Sequence, residues 1–294
     1  MTPKVSVIIP AFNCDSYIHD SITSILTQSF SNFEVIIIDD GSTDKTNSII
    51  NELAISDSRI NILRTKNLGI VSALNLGISK SKGEYIARMD GDDIAHPTRI
   101  EHQVSLLDSD PNLIACGSNI EKFGAYSDIT KYPIDSATCK LTLLFENCFA
   151  HPTVMFKKNK LSLNSNIYSE KYMYAEDYYL WSRLVEHGNL KNIRTPLLKY
   201  RIHSQQTGSK KRNIQTTSHI HISQENMSKI GLHYEFESLR KIIFPNGYLE
   251  RLYSVIHLMN IFLKLLNLKY SFSSVTFIIL KMLKRTVLGS KNYV

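Results

Sequence analysis

The chain has 294 residues, 43% hydrophobic and 21% charged, with a formal charge of +7. That is ordinary globular composition, long enough for one large domain and an appendage. The charge is local: from residue 250 onward seven Lys and Arg face Glu250 alone, which accounts for nearly all of the excess. Such a distribution argues against a general nucleic-acid binder and for a local anionic partner of the tail. Met1-Thr2-Pro3-Lys4 leads straight into Val5 to Ile9, too short an apolar run for a signal peptide and without a small-residue cleavage site. Cys14, Cys116, Cys139 and Cys148 are scattered, with no zinc-site spacing, so reduced cytosolic thiols are expected.

Lys4 to Pro10 is a continuous apolar run, as expected of a strand buried on both faces. Ile18, Ile22, Ile25 and Leu26 then recur at helical spacing. Phe33 to Ile38 is a second buried-strand run, ended by Asp39-Asp40-Gly41-Ser42-Thr43-Asp44. Ser42 or Thr43 is positioned to cap the next helix, whose inner face holds Ile49, Ile50 and Leu53. Arg59 to Leu63 is a short third strand, and Asn67-Leu68-Gly69 opens a helix through Leu74 and Ile78. Glu84 to Met89 is a fourth strand, ending in Asp90-Gly91-Asp92-Asp93. After His96-Pro97, Ile100, Val104 and Leu107 mark a helix, and Leu113 to Cys116 a fifth strand. This alternation predicts a parallel sheet wound with helices, whose ligands bind beyond the carboxyl ends of the strands. Pro10-Ala11, Asp39-Asp40 and Asp90-Gly91-Asp92 are expected to converge there.

Residues 118 to 205 are less periodic, with short runs such as Thr153 to Phe156 and one clear helix from Ala175 through Trp181 to Val185. In the tail, Glu250, Ser254, His257, Asn260, Lys264 and Asn267 form one polar stripe of a helix that is otherwise apolar. Val275 to Leu283 is nearly all apolar, with Lys281, Lys284 and Arg285 at its end. Neither segment reaches the ~20 uninterrupted apolar residues that span a bilayer. Two readings stand: helices lying in a membrane interface, or a helical subdomain packed on the core.

Three carboxylates within four residues repel one another unless a cation sits between them. Hard oxygens suit Mg²⁺ or Mn²⁺, which would leave positions open for substrate phosphates and act as a Lewis acid on a diphosphate leaving group. Glu101 has the spacing of the last ligand of an EF-hand begun at Asp90, but Ile94 replaces an oxygen ligand and Ala95 the required Gly. A solvated acidic turn is the plainer alternative. Asp39-Asp40 has two readings, a carboxylate accepting from a base N–H or helix capping. Phosphate-accepting receiver domains share paired acidic strand ends, but they are shorter and carry a lysine-bearing strand end that is missing here. Glu176-Asp177 either caps its helix or supplies a general base. His203 is a metal ligand or a surface residue, and His151 is equally open. A nucleotidyltransferase would want a Gly-rich basic loop after the first strand, where this chain has Pro10-Ala11-Phe12-Asn13-Cys14-Asp15.

In this order the residues resemble the family 2 glycosyltransferases, of the nucleotide-sugar-binding GT-A fold, in particular bacterial members that build O-antigens, capsules and lipooligosaccharides. The resemblance runs over about residues 3 to 210. It is carried by Val5 to Asn13, Gln28, Val35 to Asp44, Asn67-Leu68-Gly69 with Ala73-Leu74-Asn75, Gly83 to Asp93, His151 to Phe156, Ala175 to Trp181, and Tyr200-Arg201-Ile202-His203. Gly91 stands where many relatives have Ala.

The resemblance implies an α/β GT-A domain over 1–215, a mixed sheet flanked by helices; the region over 216–294 matches no motif and is expected from its amphipathic pattern alone to be helical and membrane-associated. Pro10, Ala11, Asn13, Asp39, Asn67, Arg88 and Asp90 would bind the nucleotide-sugar. Asp92 and His203 would hold Mn²⁺ or Mg²⁺, and Asp177 would deprotonate the acceptor. Asp93, His151, Glu176 and Trp181 are possible acceptor or donor contacts. The implied reaction is inverting, metal-dependent hexosyl transfer from a UDP-sugar, with UDP-galactose favoured and UDP-glucose or an N-acetylhexosamine the other donors. It would form a β-linkage to a saccharide carried on undecaprenyl diphosphate, at the cytoplasmic face of the inner membrane. A non-catalytic nucleotide-sugar-binding or scaffold protein of the same fold is the alternative, against which intact Asp92 and Asp177 argue.

Overall fold

The computed structural model describes residues 2–160, 167–203 and 211–288, so Lys291 of the basic tail lies outside it. The chain forms two compact units. The first comprises Met1–Ile134, Phe149–Glu170 and Leu184–Gln205; the second comprises Asp135–Cys148, Lys171–Arg183 and Gln206–Val294.

The first unit begins with the predicted alternation. It runs β1 (Val5–Ala11), α1 (Ile18–Leu26), β2 (Phe33–Asp39), α2 (Thr46–Ser56), β3 (Ile60–Arg64), α3 (Ile70–Lys80) and β4 (Tyr85–Arg88). The runs of β1 and β2 are buried nearly throughout, because helices cover both faces of a parallel sheet. β1 pairs in parallel with β2, from Val5↔Phe33 to Ala11↔Asp39, and with β4, with Ile8 opposite Arg88. The carboxyl ends of β2, β1 and β4 are therefore neighbours, and Asp39 lies beside Ala11.

The chain continues with β5 (Ile94–Ala95), α4 (Arg99–Ser109), β6 (Leu113–Gly124), β7 (Asp128–Thr130), β8 (Met155–Lys157) and β9 (Asn189–Ile202). The strand order is β3-β2-β1-β4-β8-β6-β9-β5, with β7 beside β6. The sheet is mixed: β8 runs antiparallel to both β4 and β6, whereas β9 is parallel to β6. β6, expected to end at Cys116, reaches Gly124. Its polar second half is hidden by bonds that composition does not reveal: Asn119 accepts the Tyr132 N–H at 2.8 Å and donates to the Arg194 carbonyl at 2.6 Å. The core joins Val7, Ile9, Ile37 and Ala87 to Ile100 and Leu113.

The second unit is helical: α5 (Ser136–Thr142), α6 (Glu176–Leu184, all but its last residue), α7 (Arg212–Lys229), α8 (Phe236–Ile243), α9 (Gly247–Asn267) and α10 (Phe272–Leu288). Its own core gathers Leu141, Phe145, Ile220, Met227, Ile242 and Leu258. Glu146 is buried there against Lys281 and Arg285, whose charges outweigh its burial and hold the carboxyl below its usual range. The polar stripe of α9 divides: Asn260, Lys264 and Asn267 are exposed, whereas Ser254 turns inward. Ser254 is fully buried, donating to the Ile242 carbonyl at 2.7 Å and bonded to Thr286. No helix among the described residues is long and apolar enough to cross a membrane.

Candidate functional site

Beyond β1 and β2, local side-chain bonds shape the expected nucleotide edge. Asp39 is buried, with Oδ1 accepting the Ser42 N–H at 3.0 Å and Oδ2 accepting from Asn47 Nδ2 at 2.9 Å. Asn13, in the left-handed region at φ 47°, accepts the Thr43 N–H at 2.9 Å through Oδ1. Its own N–H donates to Ser42 Oγ at 3.1 Å. Ser42 and Thr43 are thus taken up in tying the two strand ends together, and neither caps α2. Asp44 serves that turn, accepting the Thr46 N–H at 2.9 Å and the Asp15 N–H at 3.1 Å. Asp40 accepts from Thr65 Oγ1, from the Leu68 N–H at 2.7 Å and from the Gly69 N–H at 2.8 Å, and so anchors the loop that carries Asn67 into α3. Asn67 is exposed and left-handed, at φ 55°. Gly41 is needed here: its φ is 82°, and a Cβ would come within 3.0 Å of the Asn67 nitrogen.

The acidic cluster follows β4. Asp90, Asp92 and Asp93 each bring a carboxylate oxygen within 4.8 Å of the others. They are not equivalent. Asp90 is gripped by both terminal nitrogens of Arg88, one at 2.7 Å, and Arg88 is itself only 5% exposed. Arg88 therefore reaches the site through Asp90, not as a free cation lining a pocket. The Arg88 carbonyl in turn accepts from Arg99 Nη2 at 2.6 Å, and Arg99, the first residue of α4, is buried. Asp93 is wholly buried, and Oδ1 accepts the Arg201 N–H at 2.9 Å. Burial, joined by the charges of Asp90 and Asp92, pushes the Asp93 carboxyl well above the usual range.

Arg201 ties β9 to this turn. Its Nε donates to the Asp92 carbonyl at 2.8 Å, and its guanidinium lies 4.5 Å from the ring centroids of both Tyr17 and Phe123. The register explains the meeting: β5 pairs antiparallel with β9, Ile94 opposite Lys199, which sets the Asp92-Asp93 turn against the end of β9. His203, just past that end, places Nε2 at 2.8 Å from Asp92 Oδ2, with its ring 5.0 Å from that of Tyr17. The expected pair is thus brought together across 111 positions of sequence.

The donor set suits a hard divalent cation: carboxylate oxygens within reach of one another, an imidazole nitrogen beside Asp92, and Asp93 Oδ2 buried with no hydrogen-bond partner among the described residues. Asp90, chelated by Arg88, is the least available of the three. His151 stands in a 3-10 turn, with Nε2 at 2.8 Å from the Tyr168 hydroxyl. Burial, with the Arg88 cation adding to it, pushes its imidazole well below the usual range, so it is held neutral.

In the second unit, Asp177 opens α6. Its Oδ2 accepts from Asn147 Nδ2 at 2.6 Å and its Oδ1 accepts the Tyr178 N–H at 2.7 Å. Glu176 is 8% exposed, and Trp181 is fully buried, an anchor of α6 in the core. Asp40 is legible in sequence only as the neighbour of Asp39 at a strand end, Asp44 and Arg201 only as members of runs, and Arg99 not at all. An acid after a strand and an arginine in a helix carry no sign of the backbone groups they will serve.

Parallel strand ends, a left-handed Asn-bearing loop and a metal-suited acidic turn define an α/β protein of the GT-A class. The sequence profile described as Glycosyl transferase family 2 matches residues 6–165. An uncharacterized glycosyltransferase of Haemophilus influenzae is 38% identical over 249 residues, spanning 78% of this chain and 76% of its own. The O-antigen biosynthesis glycosyltransferase WbnJ of Escherichia coli is 38% identical over 210 residues, spanning 69% of this chain and 81% of its own. Among solved structures, Staphylococcus aureus TarS 1-349 in complex with UDP-GlcNAc superposes with a TM-score of 0.63 at 16% identity, covering 82% of this chain and 70% of that one. The chain belongs to glycosyltransferase family 2.

Proposed function

We propose that this glycosyltransferase moves a hexose from a UDP-sugar to a lipid-linked saccharide in bacterial surface-polysaccharide synthesis, with inversion and with a divalent cation. The observation that carries this reading is the pairing of Asp92 with His203 beside Asp90 and Asp93, a donor set suited to a cation that binds diphosphate oxygens. Its relatives are named as glycosyltransferases, one of them for O-antigen biosynthesis.

Residues at the ends of β1 and β2, with the Asn67 loop, receive the nucleoside. Asp92 and His203 would hold Mn²⁺ or Mg²⁺, with Asp90 oriented by Arg88. The bound cation supplies charge neutralisation on the departing diphosphate. Asp177 takes the proton of the acceptor hydroxyl as that oxygen bonds to the anomeric carbon. The bond from carbon to diphosphate oxygen breaks on the opposite face, and the α-linked donor gives a β-linkage. Asn147 and the start of α6 hold the Asp177 carboxylate in place. UDP-galactose is the favoured donor. The acceptor is carried on undecaprenyl diphosphate, which places the enzyme at the cytoplasmic face of the inner membrane.

The test is UDP release and product formation with candidate UDP-sugars and a lipid-linked acceptor, with and without Mn²⁺, in wild type and Asp177→Ala. Acceptor- and metal-dependent turnover is expected in the wild type alone. Equal turnover by both proteins refutes the assignment of the base. No turnover with any donor leaves the scaffold alternative standing.

A further inference from the structure

The basic, amphipathic tail presents a definite surface on the face that α9 turns outward. Buried Ser254, Leu258, Ile261 and Leu265 form one side of this helix. On the roughly opposite side, at 100° per residue, stand Leu249, Leu252, Ile256, Met259 and Leu263. They are 79%, 50%, 53%, 47% and 57% exposed. Their spacing alternates three and four, so they make a straight apolar stripe in water, where a soluble helix would carry polar residues. Among the described residues no such concentration occurs elsewhere: of their eighteen exposed large hydrophobics, eleven fall between Tyr248 and Val287.

The charges beside the stripe are of one sign. From residue 247 to 288 the only acid is Glu250, and Arg240 holds it through Nη2 at 2.7 Å. Lys281 and Arg285 are committed to Glu146. Arg251, Lys269 and Lys284 have no ion-pair partner among the described residues, and Lys264 only overlies the Tyr234 ring at 5.7 Å. A stripe with this spacing is also the form of a coiled-coil seam, but a second copy would bring the same cations against each other, with no acid left to pair them. An anionic bilayer neutralises the cations and takes up the apolar side chains together.

The geometry points to the outer face of α9 as the docking surface of this enzyme on an anionic lipid bilayer. Leu252, Ile256 and Met259 enter the acyl boundary, and Arg251 and Lys264 meet the headgroups. This deepens the membrane part of the proposed function and rests on it.

The full chain is floated with phosphatidylcholine vesicles, with and without phosphatidylglycerol. Binding is expected on the anionic vesicles and is expected to weaken with salt. Ile256→Asp, at a position that is already exposed, is expected to fold normally and to lower partitioning about tenfold or more. Arg251→Gln combined with Lys264→Gln is expected to lower it about tenfold and to remove most of the salt dependence. If wild type binds and Ile256→Asp binds equally, the surface is wrong and the membrane reading stands. If wild type binds neither vesicle, both fall. A dimer in light scattering that Ile256→Asp dissociates, without vesicle binding, assigns the stripe to a second copy and overturns the proposal. UDP release in detergent, unchanged in the variants, keeps the transferase reading separate from all these outcomes.

Discussion

Asp93 is the acid of the cluster that most needs separating from its neighbours, because it sits among carboxylates suited to a cation yet spends Oδ1 on the Arg201 N–H. If Asp93 acts as a latch, Asp93→Asn keeps an acceptor oxygen at that place, whereas Asp93→Ala leaves the Arg201 amide unpaired. An unpaired buried donor costs about 1–3 kcal/mol. Arg201 lies among the last paired residues of β9 and His203 just past its end, so that cost appears where His203 meets Asp92. At about 1.4 kcal/mol per tenfold, Mn²⁺ affinity in the presence of UDP falls roughly 5- to 150-fold in Asp93→Ala. This is the range seen when a partner that orients a metal ligand is removed, about 10–100-fold. Asp93→Asn is expected to stay within about threefold of wild type, since only a charge disfavoured by burial is removed. Calorimetric titration of Mn²⁺ measures both variants, with Asp92→Asn as the reference for loss of a ligand. If Asp93→Asn loses as much affinity as Asp92→Asn, Asp93 is a ligand and the latch is refuted. If Asp93→Ala loses nothing, the Arg201 bond does not govern the site.

Other consequences follow from single contacts. Asp177→Asn is expected to lower kcat about 10²–10⁴-fold, with UDP-sugar affinity unchanged by calorimetry; a comparable loss of donor binding would move Asp177 out of the base role. His219 donates from Nε2 to the Phe145 carbonyl at 2.6 Å between the Tyr178 and Phe244 rings, and burial pushes its pKa from 6.5 down to about 4. Its folded pKa is depressed, so the stability of the second unit is complete above pH 6.5 and declines as pH falls toward 4, by up to about 3 kcal/mol. Urea midpoints between pH 7 and 5 should fall less steeply in His219→Gln than in wild type; parallel curves would exclude His219 as the cause. Gly83 backs onto β1, where a Cβ would lie 2.5 Å from the Ser6 nitrogen and 2.7 Å from the Val5 carbonyl carbon. Gly83→Ala should therefore cost about 1–3 kcal/mol in chemical denaturation, and a neutral result would mean that β1 and β4 shift apart easily.

The apolar runs of β1 and β2 and the helical spacing of Ile18, Ile22 and Ile25 are periodic signals, and the sheet's parallel half was legible from them alone. So was the gathering of Asp39 and the acidic turn, because parallel strands with right-handed crossovers must end on one side. The antiparallel half was not legible. β5 is two residues long and has no period, β8 is three, and β6 carries buried polar residues whose bonding partners lie as far off as Arg194.

The same limit divided the site. The residue types, acids after a buried strand and a histidine in Tyr200-Arg201-Ile202-His203, pointed to cation and phosphate chemistry before any folding. Roles within the set waited for the tertiary structure. Only the pairing of β5 with β9 sets His203 against Asp92, only Arg88 distinguishes Asp90 from its neighbours, and only burial and the Arg201 amide set Asp93 apart. In the tail, sequence gave a helix with a polar stripe and an apolar remainder, since composition and period are local properties. Which side faced water depended on partners at Ile242 and Thr286, which took Ser254 inward and left Ile256 outside.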